Sequence, residues 1–139
     1  MSIGFYYYKT LCIEIDGILV DANENPHPMA ETVLSKLLSN DYTVILWSNK
    51  GMDYCKRLFK TTSENIVFRE KSNESTKRKI FFCLDTDPDF CKKFKCWSVL
   101  DPFDMLVFGS LDSDILVKTI DEYMKYVNNI ERQYHKNGF

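Results

Sequence analysis

The sequence has no long apolar run, and its first residues do not have the pattern of a secretory leader. No apolar stretch approaches the ~20 residues that a helix needs to span a bilayer, so we expect no membrane segment. The aromatic start of the chain, Met1 to Lys9, lacks the basic leader and the small-residue cleavage site of a signal peptide. Together these absences predict a cytoplasmic protein without a membrane partner.

A long basic stretch is missing as well. The formal net charge is −2, and lysine and arginine are spread along the chain. The densest basic run, Lys77 to Lys79, is typical of a solvated loop or helix end. Because proteins that bind nucleic acids carry a basic stripe or patch, this distribution argues against a nucleic-acid partner.

The cysteines form no disulfide or zinc pattern. They are odd in number and lie mostly in apolar segments: Cys12, Cys55, Cys83, Cys91 and Cys96. No second Cys/His pair at zinc spacing accompanies the last two. We therefore expect buried free thiols in a reducing compartment.

What the chain does contain is the composition of one ordinary globular domain, with 139 residues, 45% hydrophobic and 27% charged. Apolar runs predict strands at Leu11–Ile15, Tyr42–Trp47, Ile66–Phe68 and Met105–Phe108. Helical spacing predicts helices that begin near Pro28, near Met52 and near Ile115, the last ending at about Val127. The polar tail from Asn128 to Phe139 is expected to fray. Two short apolar runs, Lys79–Leu84 and Cys96–Leu100, fit neither class clearly.

Alternation of strands and helices predicts an α/β protein with a parallel sheet and helices on both faces. In such sheets, ligands bind beyond the carboxyl ends of the strands. Short polar clusters occupy three of these positions: Glu14–Gly17, Ser48–Asn49 and Gly109–Asp114.

These clusters resemble the motifs of the haloacid dehalogenase (HAD) superfamily of phosphatases and phosphotransferases. Glu14-Ile15-Asp16-Gly17-Ile18 resembles the first motif, Asp-x-Asp-Gly-Thr. The strand that ends in Ser48-Asn49 resembles the second motif, and Gly109 to Asp114 resembles the fourth, Gly-Asp-x-x-x-Asp. The resemblance runs from about Leu11 to about Tyr126, and it implies a three-layer Rossmann-like fold.

The resemblance also implies roles. Glu14 stands at the nucleophile position, and Asp16 corresponds to the general acid/base. Ser48 and Asn49 are expected to bind phosphate together with a lysine, for which Lys71 is preferred over Lys77 and Lys79. The expected Mg²⁺ site is made by four residues: Glu14, Asp16, Ser110 and Asp114.

Two departures from the motifs suggest that catalysis is impaired. Glu14 replaces aspartate, and its extra methylene moves the attacking oxygen by more than about 1 Å, whereas a misplacement of about 1 Å can already cost ~10²-fold in rate. Ser110 replaces a carboxylate that would hold Mg²⁺. We therefore favour a non-catalytic or impaired relative that binds a phosphorylated ligand or a protein partner. A working Mg²⁺-dependent phosphatase and an unrelated α/β binding domain remain alternatives.

The chain leaves no room for a cap domain, since only Ile18 to Asp41 separate the first motif from the second strand. An open site suits a macromolecular ligand. The aromatic segment Phe5–Tyr8 could extend the sheet or pair with a second copy of the chain, which would make a homodimer.

The same residues also have possible structural roles that involve no ligand. Ser48 could cap the next helix, Asp114 could stabilise the N-terminus of the last helix, and Asp16-Gly17 could be an ordinary turn. The run that ends in Asp85-Thr86-Asp87 also resembles a strand followed by Asp-x-Asp. If this run were the first motif, too little chain would follow it to build the sheet. The sequence therefore predicts that Asp85, Asp87 and Asp89 form a solvated acidic turn.

Overall fold

The architecture is a parallel sheet with helices, seen in a computed structural model that describes residues 9–61, 63–72, 82–92 and 113–136. Within these residues the strands are β1 (Thr10–Glu14), β2 (Thr43–Ser48), β3 (Ile66–Glu70) and β4 (Phe82–Leu84). The helices of the same described residues are α1 (Ala30–Ser39), α2 (Met52–Leu58), α3 (Pro88–Lys92) and α4 (Ser113–Lys136). All strand pairs are parallel, in the order β3-β2-β1-β4, which confirms the predicted parallel α/β sheet.

Strand β1 lies inside the sheet between β2 and β4. Its residue Cys12 is level with Ile45 of β2 on one side and with Cys83 of β4 on the other. All five residues of β1 are buried. This explains its continuous apolar sequence, because a strand covered on both faces needs no alternation.

Alternate residues of the strands supply two separate hydrophobic clusters. Leu11 and Ile13 face a large cluster that contains Val33 and Leu37 of α1 and Tyr123 of α4. On the other face of the sheet, Cys12 and Trp47 join a smaller cluster with Cys91 and Phe90 of α3. Because successive side chains of a strand point to opposite faces, segments pack against both sides of the sheet.

Helix α4 continues well past the residue where the sequence predicted fraying. The helix ends at Lys136, although the polar tail was expected to fray from Asn128. Two contacts account for the difference. Ile130 packs against the large cluster, and Glu131 forms an ion pair of 3.0 Å with Lys9, just before β1.

The other sequence predictions fall partly within the described residues. Four cysteines, at positions 12, 55, 83 and 91, are buried free thiols as expected. The segments Phe5–Tyr8, Cys96–Leu100 and Met105–Phe108 lie outside the described residues. In the part of the chain that the structure describes, no helix is both long and apolar enough to cross a membrane.

Candidate functional site

The carboxyl ends of the strands bring polar residues from distant parts of the chain to one edge of the sheet. Glu14 ends β1, Ser48 ends β2, Lys71 follows β3 and Asp85 follows β4. The Lys71 backbone N–H donates to the Ser48 carbonyl at 2.8 Å, which fixes the start of the lysine beside the end of β2. These four residues, together with Asp16, form the candidate site.

At the floor of the site, one lysine bridges two carboxylates. Lys71 Nζ donates to Glu14 Oε2 at 2.8 Å and to Asp85 Oδ1 at 2.7 Å. The side chains of Lys71 and Glu14 are each 5% exposed and that of Asp85 is 1% exposed. We call Glu14, Lys71 and Asp85 the buried triad. Its formal charge is −1, because it contains two carboxylates and one ammonium.

Burial and mutual charge shift the pKa values within the buried triad. Burial by itself lowers the pKa of Lys71, but the hydrogen bonds and negative charges of Asp85 and Glu14 outweigh burial and raise it. Burial raises the pKa of Asp85; the hydrogen bond from Lys71 opposes this rise and the charge of Glu14 adds to it. The raised pKa keeps Lys71 protonated. Its ammonium also lies 5.0 Å from the centre of the Phe90 ring.

Glu14 has donors on both of its carboxylate oxygens. Oε2 accepts from Lys71, while Oε1 accepts from the backbone N–H of Thr86 at 3.0 Å and from its hydroxyl at 2.5 Å. Three donors therefore hold this buried carboxyl group in one position. The side chain at the nucleophile position is therefore fixed against β4 and away from solvent.

Asp85 corrects the interpretation of its segment as a solvated acidic turn. It is almost fully buried, and besides Lys71 it accepts from Trp47 Nε1 at 2.9 Å and from the Asp87 backbone N–H at 2.8 Å. Asp87 and Asp89 are exposed, as expected. The correction follows from the sheet order: β4 pairs directly with β1, so the residue after β4 lies beside Glu14.

Above the buried triad lies a second, more accessible group around Asp16, whose side chain is 33% exposed. The hydroxyl of Ser48 donates to Asp16 Oδ2, and the hydroxyl of Tyr54 donates to Oδ1 at 2.8 Å. Lys50 Nζ lies 3.7 Å from Asp16 Oδ1. We call Asp16, Ser48, Tyr54 and Lys50 the outer group.

The sequence suggested that Ser48 could cap α2, but the structure shows that it does not. The helix begins at Met52 with Gly51 in the capping position, and no side chain caps it. Ser48 Oγ instead accepts the Lys50 backbone N–H at 3.0 Å while it donates to Asp16. Asn49, the other predicted phosphate-binding residue of this motif, is exposed beside it.

Gly17 allows the chain to turn sharply between the two groups. It has a φ of +84°, and a Cβ atom there would lie 2.9 Å from Cγ2 of Thr86. Its N–H donates to the Val20 carbonyl at 2.9 Å, and the N–H of Val20 donates back to Ile15 at 3.0 Å. Glycine is favoured at this position both by the left-handed backbone and by the close approach of the Thr86 side chain.

The predicted Mg²⁺ ligands do not form a metal site within the described residues. No three acidic, histidine or cysteine side chains converge suitably among residues 9–61, 63–72, 82–92 and 113–136. Of the predicted ligands with described side chains, Glu14 accepts hydrogen bonds from Lys71 and Thr86 on its two oxygens, and Asp16 accepts from Ser48 and Tyr54. Ser110 lies outside the described residues; Asp114 is in the first turn of α4, and its side chain is outside them too.

The sequence analysis brought Glu14, Asp16, Ser48 and Lys71 to one site but missed other members. Lys77 and Lys79, the other candidate lysines, lie outside the described residues. The sequence does place Asp85 after an apolar run, as it places Glu14, but the pairing of β4 with β1 that buries Asp85 is a long-range contact. Tyr54 and Thr86 carried no local signal, since each acts through a contact with a residue at least 38 positions away.

Comparison of the chain with family models, with curated proteins and with solved structures found no match. The function proposed below therefore rests on the strand-end residues and their contacts.

Proposed function

We propose that this chain is an uncapped, three-layer HAD-like protein whose hydrolytic chemistry is impaired and which binds a phosphorylated ligand at the outer group. The observation that carries the proposal is the state of Glu14, both of whose carboxylate oxygens are held by Lys71 and Thr86.

The family assignment is supported by the order of polar strand ends around β1. A carboxylate ends β1, a serine ends the neighbouring β2, and a lysine after β3 reaches the carboxylate of β1. On the other side of β1, the strand β4 is followed by Asp85 and Asp89, which have the Asp-x-x-x-Asp spacing of the fourth motif. In our proposal these two residues, rather than Ser110 and Asp114, stand at the fourth motif.

Impaired hydrolysis follows from what phosphoryl transfer requires. The nucleophile must present a free lone pair in line with the phosphorus, and errors of about 1 Å in such alignment cost ~10²-fold. Glu14 is 5% exposed and would have to give up its hydrogen bonds with Lys71 or Thr86 to attack.

Binding at the outer group needs no such rearrangement. Asp16 is one-third exposed, Lys50 is more than half exposed, and Asn49 is exposed between Ser48 and Lys50. A site of this kind, open to solvent, accommodates a phosphate carried on a protein or another macromolecule. A phosphorylated protein partner is therefore the ligand class that we favour.

The alternative is an active Mg²⁺-dependent phosphomonoester hydrolase, and two observations favour it. Asp85 supplies a carboxylate beside Glu14, so the site is not short of the charge that the substitution at Ser110 seemed to remove. Asp16 is also positioned by Ser48 and Tyr54 in the manner expected of an acid/base residue.

Hydrolysis of an aryl phosphate separates the two functions. The wild-type chain, Asp16→Asn and Glu14→Asp should be assayed with and without Mg²⁺. We expect no turnover by the wild-type chain and measurable turnover only after Glu14 is shortened, because aspartate cannot reach Thr86 and Lys71 in the same way. Turnover by the wild-type chain that disappears in Asp16→Asn would establish the alternative instead.

The binding half of the proposal is tested separately. Inorganic phosphate should perturb the amide resonances of Asn49, Lys50 and Gly51 in a titration followed by NMR. The amide of Asp41, which follows the far end of α1, serves as the internal control. Absence of any saturable shift at the three amides up to tens of millimolar phosphate would contradict phosphate binding at the outer group.

A further inference from the structure

Two lysines lie close to the carboxylates of the site, and they differ in accessibility and in how much of their charge is already used. Lys71 belongs to the buried triad, whereas Lys50 belongs to the outer group. Which of them meets an incoming anion decides how a phosphorylated ligand is recognised.

Lys71 is a poor anion receptor in this arrangement. Its ammonium already donates to two carboxylates at 2.7 and 2.8 Å and is 5% exposed. Since the buried triad carries a formal charge of −1, a phosphate that approached Lys71 would meet net repulsion. It would also have to displace hydrogen bonds between charged groups, which are stronger than those between neutral groups.

Lys50 has the opposite properties. Its side chain is 56% exposed, and Nζ is 3.7 Å from Asp16 Oδ1, farther than a hydrogen bond allows. The ammonium lies 4.9 Å from the centre of the Tyr54 ring, which helps to hold the side chain over the site. Its backbone N–H is tied to Ser48 Oγ at 3.0 Å, so the start of the side chain is well positioned.

Asp16 adds a second requirement to the ligand. Each carboxylate oxygen can accept two hydrogen bonds, and the described donors are Tyr54 on Oδ1 and Ser48 on Oδ2. Asp16 therefore retains acceptor capacity on its exposed side, next to Lys50. A ligand with an anionic oxygen and a hydroxyl side by side satisfies both residues at once.

We propose that Lys50, and not Lys71, is the cation that binds the ligand's phosphate, and that the exposed carboxylate of Asp16 selects ligands with a hydroxyl next to the anionic oxygen. Inorganic phosphate has this character near neutral pH, as do a phosphorylated side chain in its monoprotonated form and a phosphomonoester with a neighbouring hydroxyl group. Sulfate carries no proton near neutral pH and lacks it. The inference rests on the proposed phosphate-binding function of the same site.

Isothermal titration with inorganic phosphate at pH 7, without divalent cations and at low salt, tests the role of Lys50. We expect Lys50→Met to bind phosphate about tenfold more weakly, as one charge-assisted contact is lost. Lys50→Arg should stay within about threefold of wild type, because arginine also binds phosphate well. The matched control is Lys56→Met, an exposed lysine on α2, which should bind like wild type.

Sulfate tests the role of Asp16. The wild-type chain should bind sulfate about tenfold more weakly than phosphate, since Asp16 gains one charge-assisted hydrogen bond only from phosphate. The Asp16→Asn variant should bind sulfate and phosphate with more similar affinities, because the asparagine amide can donate a hydrogen bond to either anion. Equal affinity of the wild-type chain for the two anions would overturn the selectivity part of the proposal.

The outcomes also separate this inference from the proposed function. If the wild-type chain binds no phosphate, the proposed function fails and this inference fails with it. If it binds phosphate and Lys50→Met binds equally well with an unchanged thermal midpoint, only the assignment to Lys50 is overturned.

Discussion

Replacing Lys71 by methionine would show how much of the stability of the sheet edge depends on the buried triad. The substitution removes two hydrogen bonds between charged groups, at 2.7 and 2.8 Å, each of a kind that contributes about 1.5–3 kcal/mol. It also leaves Glu14 and Asp85 buried and facing each other without a cation. Removing one partner of a buried ion pair costs about 3–5 kcal/mol, so we expect the free energy of unfolding to fall by about 4 kcal/mol.

Urea denaturation followed by far-UV circular dichroism measures this loss. With a slope of about 1–3 kcal/mol/M, the midpoint should fall by about 2 M. The control is Lys56→Met, an exposed substitution that should change stability by no more than about 0.5 kcal/mol. A loss below about 1 kcal/mol in Lys71→Met would refute the reasoning, because the two carboxylates would then not depend on the lysine.

A loss of about 4 kcal/mol is a large part of the ~5–15 kcal/mol that stabilises a domain, so Lys71→Met alone can fail to fold. A version of the triad without charges provides a second test. In the triple variant Lys71→Met/Glu14→Gln/Asp85→Asn, no charge is buried. Part of the lost stability should return, since no buried charge is left without a partner, although the buried amides of the two new residues lack the hydrogen bonds of the original triad. If the triple variant is no more stable than Lys71→Met, charge pairing is not what Lys71 contributes.

Three further predictions concern residues around the triad. Because burial raises the pKa of Asp85 in the folded state, the native protein binds more protons than the unfolded chain between ~3.9 and the folded pKa. The contribution of Asp85 to stability therefore falls as pH rises through that window, and Asp85→Asn should lack this fall when urea denaturation is repeated from pH 4 to pH 8. Gly17→Ala should cost about 1–3 kcal/mol, from the backbone strain at a φ of +84° and from the contact with Thr86 Cγ2. Adding Thr86→Ser, which removes that methyl group, should recover part of the thermal midpoint but not all of it. Thr86→Val keeps the backbone donor to Glu14 and loses the hydroxyl donor at 2.5 Å, and we expect a loss of about 1–2 kcal/mol in the same urea assay. A Thr86→Val variant as stable as wild type would mean that the backbone N–H alone holds Glu14.

The local pattern of the sequence determined the class of fold and most of the strand ends. The apolar runs at β1, β2 and β3 were recognisable because buried parallel strands are apolar without alternation. Since parallel strands share one carboxyl edge, Glu14, Ser48 and Lys71 could be expected to lie near each other from their positions in the chain. The roles of these residues stay predictions until the assays are done.

Tertiary structure decided what the local pattern could not. Strand β4 has only three residues, too few for a periodic signal, and its place beside β1 is a long-range pairing. That pairing makes Asp85 a buried partner of Lys71 rather than a solvated acid, and it brings Thr86 onto Glu14. The end of α4 was decided in the same way, by the packing of Ile130 and the ion pair of Glu131 with Lys9. Hydrophobic periodicity reports which face of an element is buried, whereas the partners of a buried charge depend on which strands become neighbours, and that is settled only when the whole core packs.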